Sequence, residues 1–186
     1  MAEAFTGLYA AWRLFLRDGR AITLFDPTAA GTLRSFWCAL IILPGYALIV
    51  VLVHPLGMAE IDWFRFILVE AVTYAVSWCA WPLLMFYVTQ ALDRSDRFFL
   101  YITAFNWSAG PQIVVWLIVL VVVFSGVVSR EVATIVNIAA LIVILLYHLF
   151  IVRTTLKLSL FVSIGLVAGE AMVTQFIELI RVSMLR

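Results

Sequence analysis

Five apolar stretches, at residues 35–53, 66–88, 98–124, 132–152 and 158–180, dictate what this 186-residue chain can become. They run to 19, 23, 27, 21 and 23 residues and are joined by only 12, 9, 7 and 5 residues. A bilayer core about 30 Å thick takes about 20 helical residues, so each stretch is long enough to cross once. Barrel strands would be near ten residues long and would alternate apolar with polar, so the spans read as helices. The whole chain is 66% apolar and 12% charged, whereas a soluble domain is roughly half apolar and a quarter charged. A domain of this size leaves much of its surface wet and could not hide that much hydrocarbon. Intrinsic disorder needs the opposite composition. The connections are too short to carry an inserted soluble domain. The sequence therefore predicts an all-α polytopic membrane bundle: five transmembrane helices within residues 26–186, preceded by a cytoplasmic interfacial amphipathic segment over residues 1–25.

Orientation follows from basic residues near the span ends. With the N-terminus inside, the inner side holds Arg13, Arg17, Arg20, Arg34, Arg94, Arg97, Arg153 and Lys157. The outer side holds Arg65, Arg130, Arg181 and Arg186. Eight against four favours a cytoplasmic N-terminus and an external C-terminus. The first 34 residues carry four arginines and no continuous apolar core, so no cleavable signal peptide is expected. In the leading segment Phe5, Leu8, Tyr9, Trp12, Phe15 and Leu16 recur at helical spacing. Arg13 and Arg17 fall on or beside the other face. That is the pattern of a helix lying on the lipid surface, its aromatics at headgroup level and its arginines facing anionic lipid. Docking of the same helix against the bundle is compatible with it.

Helix ends carry their own signals. Asp26-Pro27 reads as an N-cap followed by proline at the first helical position, and Asp62, Ser95 and Ser129 read as caps of the later helices. Pro44-Gly45, Pro82 and Gly110-Pro111 fall inside spans, where each removes or weakens a backbone hydrogen bond and is expected to break or bend its helix.

Only Glu70, Glu170 and Glu178 among the charged residues lie inside the spans. Polar groups in hydrocarbon are expensive and mark candidate functional positions. Counting from the helix ends at 1.5 Å per residue puts Glu170 and Gln112 near the midplane, Asn106 and His148 in the inner half, and Glu70 and Asn137 nearer the outer ends. Depth alone pairs Asn106 with His148, Gln112 with Glu170, and Glu70 with Asn137. A carboxylate at the midplane must be neutral, paired or wetted. Gln112 is the expected hydrogen-bond partner of Glu170. Asn, Gln and His also serve as interhelical glue, and Glu178 reads as solvated.

Other chemistry finds little footing. No HExxH, Cys/His cluster, Walker loop or G-x-S-x-G elbow is present. His54 and His148 sit at opposite depths, unlike a pair of haem ligands. Asp93 and Asp96 are interleaved with arginines in a charged loop. Cys38 and Cys79 lie in apolar runs and read as reduced thiols. A net charge of +1 offers no surface to nucleic acid. No enzyme activity, metal or cofactor is expected.

The stretches Leu24-Phe25-Asp26-Pro27, Arg34-Ser35-Phe36-Trp37, Phe105-Asn106-Trp107 and Tyr147-His148-Leu149-Phe150-Ile151-Val152-Arg153-Thr154 give the chain a pattern that resembles the bacterial Yip1-like integral membrane proteins. The resemblance implies a five-helix fold and a non-catalytic role. The chain lacks the Asp-Leu-Tyr-Gly-Pro signature of the eukaryotic members, and their trafficking partners are not carried over. The expected function is that of a membrane scaffold or accessory protein, acting on the lipid bilayer and on a membrane-protein partner or a second copy of itself. The alternative is a small transporter or channel, proton-linked through Glu170.

The basic-residue count makes a direct prediction. A reporter fused after Arg186 will be active outside the cytoplasm, and one inserted among residues 93–97 will be active inside it. The reverse pattern at both sites overturns the orientation.

Overall fold

In a computed structural model of the chain, which describes residues 2–53 and 62–185, every regular element is helical. His54 and Arg186 lie outside the described residues. The order is α1 (Ala2–Phe15), a 3-10 turn (Gly19–Leu24), α2 (Ala29–Ser35), α3 (Trp37–Val53), α4 (Trp63–Ala91), α5 (Phe98–Phe124), α6 (Arg130–Leu156) and α7 (Leu160–Leu185). Five helical stretches among the described residues are long and apolar enough to cross a membrane: Ala29–Val53, Trp63–Ala91, Ser95–Phe124, Arg130–Leu156 and Leu160–Leu185. The chain is an integral membrane protein by this measure, and the five expected spans are recovered.

Local chemistry explains where the helices start. Asp62 accepts from the amides of Phe64 and Arg65, and Ser129 accepts from that of Val132. Both were expected caps. The first span differs. Its cap is Thr28, which accepts from the Gly31 amide at 3.0 Å, while Asp26 forms a turn by accepting from the Thr28 amide at 3.0 Å. Proline at 27 thus precedes the cap instead of following it. The Thr28 hydrogen bonds hold the Asp26 carboxyl below its usual range, and the nearby Arg34 guanidinium adds to this. Ser95 opens a short 3-10 turn, Ser95–Arg97, and neither that turn nor α5 has a side-chain cap.

The prolines do not end their helices. α3 runs on through Pro44, α4 through Pro82 and α5 through Pro111. The interruption in the first span falls instead at Phe36, between α2 and α3. A missing N–H and a ring clash cost one rung of the ladder, and the turns on either side hold.

α5 is the centre of the bundle, packed against α1, α2, α3, α4 and α6, while α7 packs on α4 and α6. Its buried run from Tyr101 to Ala104 and its buried Asn106, Trp107, Ser108, Gly110 and Pro111 form the core with Met85, Tyr147, Ile151, Val152 and Leu156.

α1 joins that core through a face that mixes small and large residues, with Leu8 and Phe15 packed at its margins. Gly7, Ala10, Ala11 and Leu14 are buried, and the Tyr147 hydroxyl donates to the Ala11 carbonyl at 2.7 Å. A side chain on Gly7 would run into the Trp107 indole, and one on Gly110 would meet Leu8 at 2.5 Å. Phe5, Tyr9, Trp12 and Leu16 point outward, between 43% and 72% exposed. Charged pairs tie the segment down: Arg34 reaches both Glu3 and Asp26 at 2.6 Å, and Arg13 pairs with Asp18. That hydrogen bond holds the Asp18 carboxyl below its usual range. Arg17 donates to the Leu146 carbonyl at 2.7 Å and lies over the Phe150 ring.

Because α1 seats through Gly7, Gly7→Leu will destabilise the folded bundle by about 1–3 kcal/mol through overpacking against Trp107. Tyr9→Leu, on the outward face, will not. Thermal unfolding in mild detergent distinguishes them; equal melting of the two variants would contradict the docking.

Candidate functional site

Inside the bundle the polar residues fall into two groups. The first is built where α4, α5, α6 and α7 meet. α6 and α7 are joined by a tight connection that Lys157 opens in the left-handed conformation, at φ 52°. They therefore run antiparallel side by side, and residues equally far from the turn share a depth. His148 of α6 and Glu170 of α7 meet this way: the imidazole Nδ1 lies 2.7 and 2.8 Å from the two carboxylate oxygens. The side chains are 7% and 12% exposed.

This pair lines a cavity of about 220 Å³ together with Ser77, Trp78, Phe105, Asn106, Ala109 and Gln112. Two buried polar atoms of the lining have no hydrogen-bond partner, the Nε2 of His148 and the Oδ1 of Asn106. An unsatisfied polar group away from water costs about 1–3 kcal/mol or more, so two beside one cavity are a costly arrangement. The other groups are engaged. Asn106 Nδ2 donates to Ser35 Oγ at 2.8 Å, Gln112 Nε2 to Ser108 Oγ at 2.9 Å, and Ser77 Oγ to the Thr73 carbonyl at 2.8 Å. Phe105 stacks obliquely on the imidazole, with ring centroids 5.4 Å apart. Beneath the pair, Trp81 Nε1 donates to the Tyr101 hydroxyl at 2.7 Å.

The second group lies toward the other end of the same helices. Arg181 of α7 donates to Glu70 of α4 at 2.5 Å and to Glu178 at 2.5 and 2.7 Å. The Tyr46 hydroxyl of α3 donates to the second Glu70 oxygen at 3.0 Å. Glu70 and Arg181 are 10% and 14% exposed, Glu178 44%. This cluster ties α3, α4 and α7 together, and its donors and acceptors are matched.

The pairings differ from those that depth alone suggests. Asn106, Gln112, His148 and Glu170 share one cavity, but Glu170 meets His148 instead of Gln112, and Asn106 meets Ser35 instead of His148. Glu70 meets Tyr46 and Arg181. Asn137 is exposed and donates to its own Ala133 carbonyl at 2.8 Å. Glu178 is bound to Arg181 rather than simply solvated. Pro44 is exposed, Pro82 and Pro111 are buried, and Gly45, Gly110 and Pro111 line an apolar groove of about 560 Å³ with Phe5, Leu8, Tyr9 and Trp12.

As a basic residue near a span end Arg181 reads in the sequence as an interface marker, whereas its long stem carries the guanidinium to Glu70 and Glu178. A usable signal for the central pair was present: His148 stands eleven residues before Ser159 and Glu170 eleven after it.

Among the described residues no three His, Cys, Asp or Glu gather as metal ligands. Compared with family models, curated proteins and solved structures, the chain shows no significant match.

Removing the carboxylate strands the imidazole. Glu170→Leu will lower stability by about 1–2 kcal/mol, whereas Glu170→Gln keeps an acceptor for Nδ1–H and will lose less. Unfolding in detergent measures both; equal stability of Glu170→Leu and the parent chain would show that the pair holds nothing together.

Proposed function

We propose that this chain is a small transporter or channel whose bundle binds a proton at His148 and Glu170. The observation behind the reading is the polar cavity with its two unpartnered atoms beside an acid–base pair. Ionisable residues facing an internal space in a membrane bundle characteristically mark a solute or proton pathway.

The geometry gives the pair a specific capacity. With Nδ1–H donating to the carboxylate, neutral His148 keeps a lone pair on Nε2. A proton arriving there makes an imidazolium against a carboxylate, a pair with no net charge. Its departure leaves one negative charge. In either condition the two carboxylate oxygens lie against the ring, 2.7 and 2.8 Å from Nδ1. No enzymatic step is part of this reading, in keeping with the non-catalytic role that the Yip1-like resemblance implies.

A second reading, that of a scaffold, is favoured by the outward row Phe5, Tyr9, Trp12 and Leu16 on a helix whose inner face is already docked. Aromatic rows of this kind are stable at the bilayer surface.

Proton movement separates the two. In liposomes enclosing a pH-sensitive dye, the intact chain will speed dissipation of an imposed pH gradient, and Glu170→Gln will abolish the effect while remaining folded. A rate unchanged by Glu170→Gln overturns the transport reading and leaves the scaffold.

A further inference from the structure

We propose that the chain pairs with a second copy of itself through the outward face of α7, where Gln175 of the two copies exchanges hydrogen bonds across a twofold axis. The pairing is independent of what the central cavity does.

α7 stands at the edge of the bundle. It packs on α4 and α6, burying Ser163 and Val167 and holding Arg181 against Glu70. On its other side Phe161, Gly165, Ala168, Met172, Gln175 and Leu179 are all exposed. These six recur at alternating intervals of four and three. That 3.5-residue period makes a seam which can follow one neighbouring helix along its length, as in left-handed helix pairs. Gly165 and Ala168 are small enough to let a second backbone come close. A side chain added at Gly165 would meet nothing within 4 Å, so no described part of the chain covers this position.

Apolar and small residues alone would be equally well placed against acyl chains. Gln175 is not. It stands six positions, about 9 Å, from Arg181 and about 4 Å from the midpoint of the 26-residue helix, which is deep in hydrocarbon. Its side chain is exposed and makes no hydrogen bond to any described residue. Acyl chains offer neither donor nor acceptor. The short glutamine stem cannot carry its amide to the interface as Lys and Arg stems do. Asn137, the exposed amide of α6, is in a different position, because it donates to its own Ala133 carbonyl.

The occupant follows from the chemistry of the amide. Gln carries an acceptor oxygen and two N–H donors on one planar group, so two such amides facing each other satisfy one another reciprocally. Copies of one chain share an orientation in the membrane. A twofold axis along the bilayer normal therefore sets each residue of the seam opposite its counterpart at the same depth. Gln175 then meets Gln175, Gly165 meets Gly165, and none of the six residues brings a charge that would repel its copy.

The test uses the purified full chain in phosphatidylcholine vesicles, labelled with donor or acceptor at the N-terminus, with energy transfer followed as the protein is diluted in lipid. The expected result is a saturable association of two copies. Gln175→Leu will weaken it by about fivefold or more while leaving thermal unfolding unchanged, since this side chain holds nothing within its own bundle. Asn137→Leu will leave the association unchanged. In a Cys79→Ser chain, Leu179→Cys will cross-link two copies on mild oxidation, and Ile138→Cys, equally outward on α6, will not. A chain that stays single at every dilution overturns the proposal. So does an association that Gln175→Leu leaves intact or that Asn137→Leu weakens as much, and so does cross-linking through Ile138→Cys in place of Leu179→Cys.

Discussion

A polar side chain in hydrocarbon has no water to fall back on, and this penalty organises the bundle more than any apolar contact. Lipid tails are as apolar as leucine, so burying leucine against leucine gives little preference between one helix arrangement and another. Specific hydrogen bonds do. Ser35 and Asn106 tie α2 to α5, Tyr46, Glu70 and Arg181 tie α3 to α4 and α7, and His148 and Glu170 tie α6 to α7. Trp81 and Tyr101 join α4 to α5, and Tyr147 holds α1. Each helix is held to a neighbour by at least one such contact, and together they form a connected frame.

Within that frame the two charged groups differ in completeness. At Glu70 the carboxylate meets a guanidinium and a phenol, and the guanidinium turns its remaining donors to Glu178. The result is a closed lock. At Glu170 the carboxylate meets an imidazole whose far nitrogen has no partner, beside an asparagine oxygen in the same condition. Among the described residues these are the two buried side-chain atoms without a partner, and both belong to this group.

The spans were legible because length and apolarity are properties of one helix at a time. The contacts were not, because they depend on rotation about each axis, about which hydropathy says nothing. Gln112 and Glu170 share a depth and a cavity without touching. Arg181 was read as an interface marker and turned out to reach Glu70. The tight α6–α7 turn is the exception, since residues equidistant from it, such as His148 and Glu170, share a level. In α1 the periodic bulky residues divide: Phe5, Tyr9, Trp12 and Leu16 point outward, while Leu8 and Phe15 pack on the core. Gly7, Ala10 and Ala11 complete the seat beside Leu14, and such small residues give no hydrophobic signal.

The Tyr147 hydroxyl meets Ala11 across 136 positions of sequence, and this has a consequence for biogenesis. At about 5–20 residues per second, a ribosome needs roughly 7–30 s to make the chain between them. Throughout that interval α1 exists without its seat, a short helix with no bundle to join. Phe5, Tyr9 and Trp12 stay exposed after assembly, so what the delayed docking covers is the opposite face of α1, where Ala10, Ala11 and Leu14 end fully buried.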